Sequence, residues 1–257
     1  MAEHPAYAIL GRGRWAQRMN VVLRGELRQV RIFAETRRQP QESDGEYRSR
    51  LSDGIRATGA QVVWLCVPPG EHISTMLEAI LEAKVHAVVE PPWMLGIQQT
   101  TEWANRIRSN GQILGVHYEY CFLDRLQDWK TEYRDGNNLR FGGVFRHSRR
   151  DQLGLPPIDV LGTHLLSIRE WAVPNAAFGQ IECGYEKSDA RRVWLDSGQR
   201  RVAEIDFTYS REPLIQRYVA RLETAIVDGD FAFGLEFAAR VMDSAEKAKH
   251  DLVEKHR

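Results

Sequence analysis

A glycine-rich turn near the start of the chain constrains its fold more than any other feature. The apolar run Tyr7–Leu10 leads through the sequence GRGRWA, a G-x-G-x-x-A pattern, into a predicted helix at Trp15–Glu26. In a strand-turn-helix unit, Gly11 permits the tight bend, Gly13 lets a pyrophosphate approach, and Ala16 lets the helix pack on its strand. The N-H groups at the start of the helix then point toward the phosphates. Such turns also occur where a tight connection needs only its own geometry, so both interpretations stay open.

Composition and charge favour a globular protein of two modest domains. The 257 residues are 43% hydrophobic and 27% charged, with 35 Lys+Arg against 35 Asp+Glu. A net charge of zero argues against nucleic-acid or membrane partners, because both need a basic excess on one face. Cys66, Cys121 and Cys183 lie far apart, which predicts neither a disulfide framework nor a zinc site. Because no signal-peptide pattern and no apolar run of about 20 residues is present, we expect a soluble cytoplasmic protein.

Strands alternate with helices through residues 1–120. Apolar runs predict strands at Tyr7–Leu10, Val30–Ala34, Gln61–Val67, Val85–Val89 and Gln112–His117. Helices are predicted at Trp15–Glu26, from Glu46, at Ile73–Ala83 and at Thr100–Ser109. This alternation is typical of an α/β fold with a doubly wound parallel sheet, so we predict a dinucleotide-binding Rossmann domain over 1–120. Ligands of such sheets bind beyond the carboxyl ends of the strands, where the fold would gather Gly11, Glu35, Pro68, Glu90 and His117.

The pattern changes after Tyr120. Helices are predicted at Leu123–Tyr133, Asp159–Trp171, Ile215–Asp228 and Gly234–Lys255. Strands are predicted at Leu139–His147, Phe178–Glu186, Arg191–Leu195 and Arg201–Ser210. Consecutive strands with short connections indicate antiparallel pairing. We therefore predict a smaller α+β domain over 121–257, with a mostly antiparallel open sheet, as the substrate and oligomerisation domain.

Glu35 follows the second predicted strand, where a dinucleotide fold places an acid. It lies roughly twenty residues past the glycine turn, a spacing at which a carboxylate accepts hydrogen bonds from the adenosine ribose. Exposed glutamates are common, so a solvated strand end is the alternative. Arg37 and Arg38 could hold a 2'-phosphate, whereas Glu35 would repel it. The cofactor expected is therefore NAD or NADP, with NAD slightly preferred.

Five motifs follow one another along the chain. They are the turn GRGRWA, the stretch WLCVPPGEH before a helix, the strand VHAVVEPPW, the run GVHYEYCF and the late segment GTHLL. Their order resembles that of the Gfo/Idh/MocA family of glucose-fructose oxidoreductase and inositol dehydrogenase. The final segment from Ala220, which ends in the run FAFGLEFAARVMDSAEKA, is similar to the closing pair of helices of that family. The resemblance implies an N-terminal Rossmann domain, a nicotinamide dinucleotide between the domains, and a homo-oligomer formed through the C-terminal sheet.

The chain departs from that family pattern at three places. The E-K-P motif, whose lysine positions cofactor and substrate and supports proton transfer, is EPP at 90–92. Proline has neither a titrating group nor an N-H. The motif acid is Asp159, which lies one residue too early relative to His164, and one residue turns a helical side chain by about 100°. Cys121 stands where the family often has an arginine.

Three side chains are candidates for proton transfer. His164 is the best of them, because imidazole titrates near neutral pH and the motif would place it beside the nicotinamide. The alternative is a histidine at a helix start that hydrogen-bonds a neighbouring loop. Tyr118 and Tyr120 could donate protons through their phenols, or could simply fill space.

The remaining candidates concern the cofactor. The predicted cofactor-binding residues are Gly11, Gly13, Arg14, Trp15, Ala16, Glu35, Arg37, Pro68, His72, Glu90 and Pro91. No metal site is predicted, since the histidines and acids lack the spacing of metal ligands.

The missing lysine leaves two hypotheses about function. The first is an NAD(P)-dependent oxidoreductase that transfers hydride to or from a small carbonyl, hydroxyl or imine substrate. The resemblance also extends to reductases without that lysine, which favours a conjugated or imine-like substrate. The alternative is a non-catalytic dinucleotide-binding or scaffold relative, because the fold alone does not establish an activity.

Overall fold

The computed structural model describes residues 4–33, 35–70, 72–92, 96–148, 155–186 and 188–254. Ala34 of a predicted strand, and Glu71 and Trp93 of two motifs, lie outside the described residues. The chain forms two compact units. One comprises the chain up to His117 together with Ile215–Glu236, and the other comprises Tyr118–Leu214 together with the chain from Phe237 onward. Among the described residues, no helix is both long enough and apolar enough to cross a membrane.

The first unit is built on a five-stranded parallel sheet. Its strands are β1 (Tyr7–Leu10), β2 (Val30–Phe33), β3 (Val62–Leu65), β4 (His86–Val89) and β5 (Leu114–Val116). Their order in the sheet is β2-β1-β3-β4-β5, and every pairing is parallel. β1 and β3 are buried at all their positions, which explains their unbroken apolar sequences. The predicted parallel Rossmann sheet is thus confirmed, and its strand order reverses between β1 and β3.

Helices connect these strands. They are α1 (Arg14–Gly25), α2 (Asp44–Thr58), α3 (His72–Ala83) and α4 (Ile97–Ser109). α2 begins before the predicted Glu46 because Ser43 caps it. The Glu46 N-H donates to the Ser43 hydroxyl (3.3 Å), and the Ser43 N-H donates to the Glu46 carboxylate (2.8 Å).

The second unit contains a mixed four-stranded sheet. Its strands are β6 (Leu139–Arg146), β7 (Ala177–Gly184), β8 (Ala190–Ser197) and β9 (Arg200–Asp206). Their order is β7-β6-β8-β9. β6 pairs with β7 in parallel, whereas β6-β8 and β8-β9 are antiparallel. The sheet is therefore mostly antiparallel, as predicted.

Three helices of the second unit pack with this sheet around one apolar core. They are α5 (Asp124–Glu132), α6 (Pro157–Val160) and α7 (Gly162–Ala172), and a 3-10 turn at Glu119–Phe122 precedes them. One continuous helix was predicted over 159–171, but the structure divides it at Leu161. The His164 N-H donates to the Leu161 carbonyl at 3.2 Å, a tighter i to i−3 bond. Gly162 follows the division. Glycine has the lowest helix propensity of all residues except proline, so a continuous helix is least stable at this point.

Two helices close the chain, α8 (Leu214–Asp228) and α9 (Leu235–Glu254). α8 belongs mainly to the first unit. The sequence-based division at residue 120 assigned everything after that residue to the second domain, so it did not anticipate this return of the chain to the first unit. Its Glu223 carboxylate accepts from Arg28 at 2.6 and 3.0 Å and from the Tyr7 hydroxyl at 2.9 Å. These bonds hold α8 against the start of β1.

Candidate functional site

Close contacts within the sheet fix the glycine turn after β1. Gly11 has a φ of +127°, and a Cβ built there would lie 2.4 Å from the carbonyl oxygen of Cys66. The Gly11 N-H donates to the Phe33 carbonyl at 3.1 Å, and the Cys66 N-H donates to the Leu10 carbonyl at 2.8 Å. Both the backbone conformation and the available space therefore exclude any side chain at Gly11.

Gly13 faces open space at the start of α1. Apart from Gly13 itself and its two chain neighbours, no heavy atom of the described residues lies within 4 Å of a Cβ built on Gly13, and its φ of −68° suits any residue. Gly13 has no side chain with which to cap the helix, and the first turn, which starts at the exposed Arg14, contains no acid. The helix dipole and its first N-H groups can therefore bind an anion. Ala16 is fully buried, which suits its predicted packing role.

The segment after β2 presents a carboxylate and a guanidinium at the same edge of the sheet. The side chains of Glu35 and Arg37 are both exposed. Their main-chain carbonyls accept hydrogen bonds from Arg50 on α2, at 2.8 and 2.9 Å. Because the Phe33 carbonyl at the end of β2 accepts a hydrogen bond from the Gly11 N-H, this segment starts beside the glycine turn.

Glu90 is held in a hydrogen-bonded cluster at the carboxyl ends of β3, β4 and β5. Its Oε1 accepts from Trp64 Nε1 at 2.6 Å, and its Oε2 lies 3.1 Å from His117 Nδ1. The His117 side chain is fully buried, and that of Glu90 is 19% exposed. The His117 ring also lies 6.0 Å from the Trp15 ring and 4.8 Å from the Tyr218 ring, between centroids. Side chains from several elements thus fix one carboxylate.

These neighbours keep Glu90 ionised. Burial raises the pKa of Glu90, but the charge of His117 and the hydrogen bonds from His117 and Trp64 outweigh burial and hold that pKa below its usual value. A carboxylate that is ionised and hydrogen-bonded by several donors acts as an acceptor. The cluster therefore suits Glu90 to orienting its neighbours better than to donating a proton.

Three further predicted residues border this edge. Pro68 follows β3 and is exposed, and His72 opens α3 with a half-buried ring. A Cβ on Gly70 would lie 3.0 Å from the His72 ring, so Gly70 leaves room for this imidazole. Pro91 is half-buried directly after Glu90, where the resemblance would place a lysine.

His164 and Tyr120 meet in an aromatic cluster of the second unit. His164 lies in the first turn of α7 and Tyr120 in the 3-10 turn, and their ring centroids are 5.4 Å apart, edge to face. Phe145 on β6 stacks on the His164 ring at 5.6 Å, and Phe207 lies 5.1 Å from the Tyr120 ring. Both His164 and Tyr120 are partly exposed. The two side chains are close enough to act on one ligand.

Tyr118 and Asp159 have other partners in the second unit. Tyr118 is 2% exposed and packs edge-on against Phe237, with ring centroids 5.6 Å apart. Burial raises the pKa of its phenol, which favours packing over proton donation. The Asp159 carboxylate lies 2.6 Å from Lys249 Nζ on α9, so this acid takes part in an ion pair.

Sequence reasoning missed two residues that organise the first unit. Trp64 is the only aromatic residue of β3, and a buried indole N-H needs an acceptor, so its presence was a readable signal. Arg50 had no such signal, because α2 also carries Arg48 and Arg56. Within the described residues, no group of three or more His, Cys, Asp or Glu side chains could hold a metal ion.

The chain matches no protein-family model and no curated protein. It is similar in structure to UDP-N-acetylglucosamine 3-dehydrogenase GnnA from Acidithiobacillus ferrooxidans, with 13% identity, a TM-score of 0.74, and coverage of 95% of this chain and 96% of that one. WlbA dehydrogenase from Thermus thermophilus, in complex with NAD and UDP-GlcNAcA, has 13% identity and a TM-score of 0.67, covering 94% and 93%. An oxidoreductase from Pseudomonas syringae has 14% identity and a TM-score of 0.70, covering 96% of each chain. The TM-scores and coverages show a shared fold over nearly the whole chain, and at identities this low they show the fold alone.

Proposed function

We propose that this chain is an NAD(P)-dependent oxidoreductase that transfers a hydride to or from a small carbonyl, hydroxyl or imine substrate. The observation that carries the proposal is the open glycine turn. Gly11 makes the bend, and Gly13 leaves free space directly at the N-terminus of α1. A pyrophosphate there would accept hydrogen bonds from the first N-H groups of the helix, next to the reversal in strand order.

The structural comparisons support this proposal. The similar proteins are oxidoreductases or dehydrogenases, and the WlbA structure contains NAD. The order of motifs from GRGRWA to GTHLL points in the same direction. Both observations support our proposal that the chain is a divergent member of the Gfo/Idh/MocA family.

The described residues of the first unit fit a nicotinamide dinucleotide. Gly11, Gly13 and Arg14 would hold the pyrophosphate, and Glu35 would accept hydrogen bonds from the adenosine ribose hydroxyls. The bound nicotinamide would supply or accept the hydride. Because Glu35 exposes its carboxylate, NAD is favoured over a coenzyme that carries a 2'-phosphate.

His164 is the proposed proton donor and acceptor of the reaction. Stacking on Phe145 and the edge contact with Tyr120 fix its ring, while partial exposure leaves it accessible. The Tyr120 phenol is a second donor beside it. Pro91 supplies no ammonium group, so a conjugated or imine substrate, which needs less help with its proton, fits the chain best.

The test is substrate-dependent oxidation of NADH and NADPH over a panel of carbonyl and imine compounds, with NAD reduction by hydroxyl compounds as the reverse assay. We expect His164→Ala to lower kcat about 100-fold or more without changing the Kd for NADH. Tyr118→Phe is the control, because this buried phenol should not affect turnover. Unchanged turnover in His164→Ala would remove His164 from its role.

The second candidate is a non-catalytic protein that binds a dinucleotide or serves as a scaffold. The specific observation in its favour is Pro91, which places no titrating group after Glu90. Calorimetric titration with NADH and NADPH separates the two candidates. Binding without turnover across the panel would support the second candidate, whereas no binding of either coenzyme would overturn both the enzyme and the dinucleotide-binding interpretation.

A further inference from the structure

We propose that helix α2 sets the coenzyme selectivity of the first unit, by fixing the segment after β2 and by directing Arg38 away from the ribose 2' position. This inference rests on the proposed function and specifies how its adenosine end is recognised. The residues concerned act through the segment that they hold, so they are positioning residues. They are Arg50, Tyr47 and Asp44.

Two side chains of α2 hold three consecutive carbonyls of the segment. Arg50 Nη1 donates to the Glu35 carbonyl at 2.8 Å, and Arg50 Nη2 donates to the Arg37 carbonyl at 2.9 Å. The Tyr47 hydroxyl donates to the Thr36 carbonyl between them at 2.7 Å, and Tyr47 is 2% exposed. With these carbonyls turned toward α2, the backbone is fixed, and the directions in which Glu35 and Arg37 project are fixed with it.

Glu42 holds the Arg50 guanidinium in place. Its carboxylate accepts from Arg50 Nε at 2.6 Å and from Arg50 Nη2 at 2.9 Å, a two-point ion pair, and also from the Gln39 N-H at 2.9 Å. The Glu42 side chain is 9% exposed. The hydrogen bonds from Arg50 lower the pKa of Glu42 to about 2. The ion pair is therefore complete throughout the pH range of ordinary assays.

Arg38 is directed toward the start of α2. Its Nε donates to the Glu42 carbonyl at 2.7 Å, and its Nη1 lies 2.6 Å from Asp44 Oδ1. A 2'-phosphate on the adenosine ribose needs a cation, and Arg38 would have to leave Asp44 to provide it. Arg37 is exposed, but it lies two residues from the negative charge of Glu35. The segment thus selects for a free 2'-hydroxyl.

The first experiment compares Arg50→Ala with Arg48→Ala in the full chain. Both variants remove an arginine from α2, but Arg48 pairs with Glu82 on α3 at 2.8 Å and not with the segment. The readout is the ratio of the Kd for NADPH to the Kd for NADH, from calorimetric titration. We expect Arg50→Ala to weaken NADH binding about tenfold and NADPH binding little, so that the ratio falls, and Arg48→Ala to leave the ratio unchanged.

The second experiment frees Arg38. Asp44→Asn is expected to strengthen NADPH binding roughly fivefold or more and to leave NADH binding unchanged, because the released guanidinium can reach the phosphate. Asp53→Asn is the control, since this exposed acid on the same helix pairs with Arg56 at 3.0 Å. A gain in NADPH binding that appeared equally in both variants would reflect net charge alone and would count against the inference.

The outcomes separate this inference from the proposed function. Equal weakening of both coenzymes in Arg50→Ala would make its role structural and overturn the inference. If both variants, Arg50→Ala and Asp44→Asn, bind coenzyme with an unchanged ratio of the two Kd values, the inference is overturned and the proposed function stands. No binding of either coenzyme to the unmodified chain would overturn both. If Arg50→Ala does not fold, Tyr47→Phe removes only the bond to Thr36 and is expected to lower the same ratio; an unchanged ratio there would overturn the inference.

Discussion

At the scale of single residues, the two glycines of the turn are required for different reasons. Gly11 is required by the fold, because its φ of +127° and the Cys66 carbonyl exclude a side chain. Gly13 has an ordinary φ and open space around it. The fold therefore tolerates a methyl group at Gly13, and only a ligand at the helix start would exclude it.

This difference gives a paired prediction. Gly13→Ala is expected to change the free energy of unfolding by less than about 1 kcal/mol, and to weaken NADH binding about tenfold or more, because its Cβ would occupy the space of the pyrophosphate. Gly11→Ala is expected to destabilise the protein by more than about 2 kcal/mol. Urea unfolding and calorimetric titration measure the two effects. Normal NADH binding by Gly13→Ala would contradict the proposed pyrophosphate position.

Glu90 gives a prediction about pH. The pKa of Glu90 is lower in the folded protein than its usual value, so its stabilising effect is present above the unfolded pKa of about 4.3 and is lost as the pH falls through the folded pKa. We expect Glu90→Gln to cost about 1–3 kcal/mol at neutral pH, and this cost to shrink below about pH 4. Urea unfolding of both proteins at several pH values measures the difference. A difference that stays constant with pH would contradict the ionised state.

At the scale of elements, local patterns predicted what local physics determines. β1 was predicted with its observed bounds, because a strand that is buried on both faces has an unbroken apolar sequence. α8 was predicted within one residue, because a helix that is buried on one face has apolar residues at helical spacing. The start of α2 was also readable, since Ser43 and Glu46 have capping-box spacing, but it was placed two residues late.

The candidate site was harder to predict than the elements that form it. Glu90 is 26 residues from Trp64 and 27 from His117, and these side chains meet only because β3, β4 and β5 are neighbours in the sheet. Sequence reasoning selected Glu90 from its motif and noted His117 near the same edge, but it did not assign Trp64 as a donor. The Arg50 bonds to two carbonyls likewise depend on how α2 lies against the segment after β2.

The link between α6 and α9 supplies a prediction at this scale. Asp159→Asn removes the ion pair between Asp159 and Lys249. Because both side chains are partly exposed, we expect the free energy of unfolding to fall by about 0.2–1 kcal/mol and turnover to stay unchanged. Asp243→Asn is the matched control, because its ion pair with Lys247 lies within α9. A large fall in kcat for Asp159→Asn alone would show that Asp159 acts as the motif acid despite its offset.

At the scale of the whole molecule, coenzyme binding should appear as added stability. A ligand at 100 times its Kd stabilises the folded state by about 2.7 kcal/mol, which raises the melting temperature by several degrees. We expect ADP-ribose to stabilise the protein as NADH does, because the proposed contacts are with the pyrophosphate and the adenosine ribose. Differential scanning fluorimetry with both compounds measures this, and an effect of NADH without any effect of ADP-ribose would contradict the proposed contacts.

The position of α8 has a consequence for synthesis on the ribosome. The buried Arg28 and the Tyr7 hydroxyl share Glu223, which is translated long after the parallel sheet and after most of the second unit. Until Ile215–Glu236 emerges, the Arg28 guanidinium and the Tyr7 hydroxyl of the nascent first unit lack this carboxylate partner. All five strands of the parallel sheet are therefore translated before the helix that pairs with Arg28 and Tyr7, and the first unit is completed only after most of the second unit has been made.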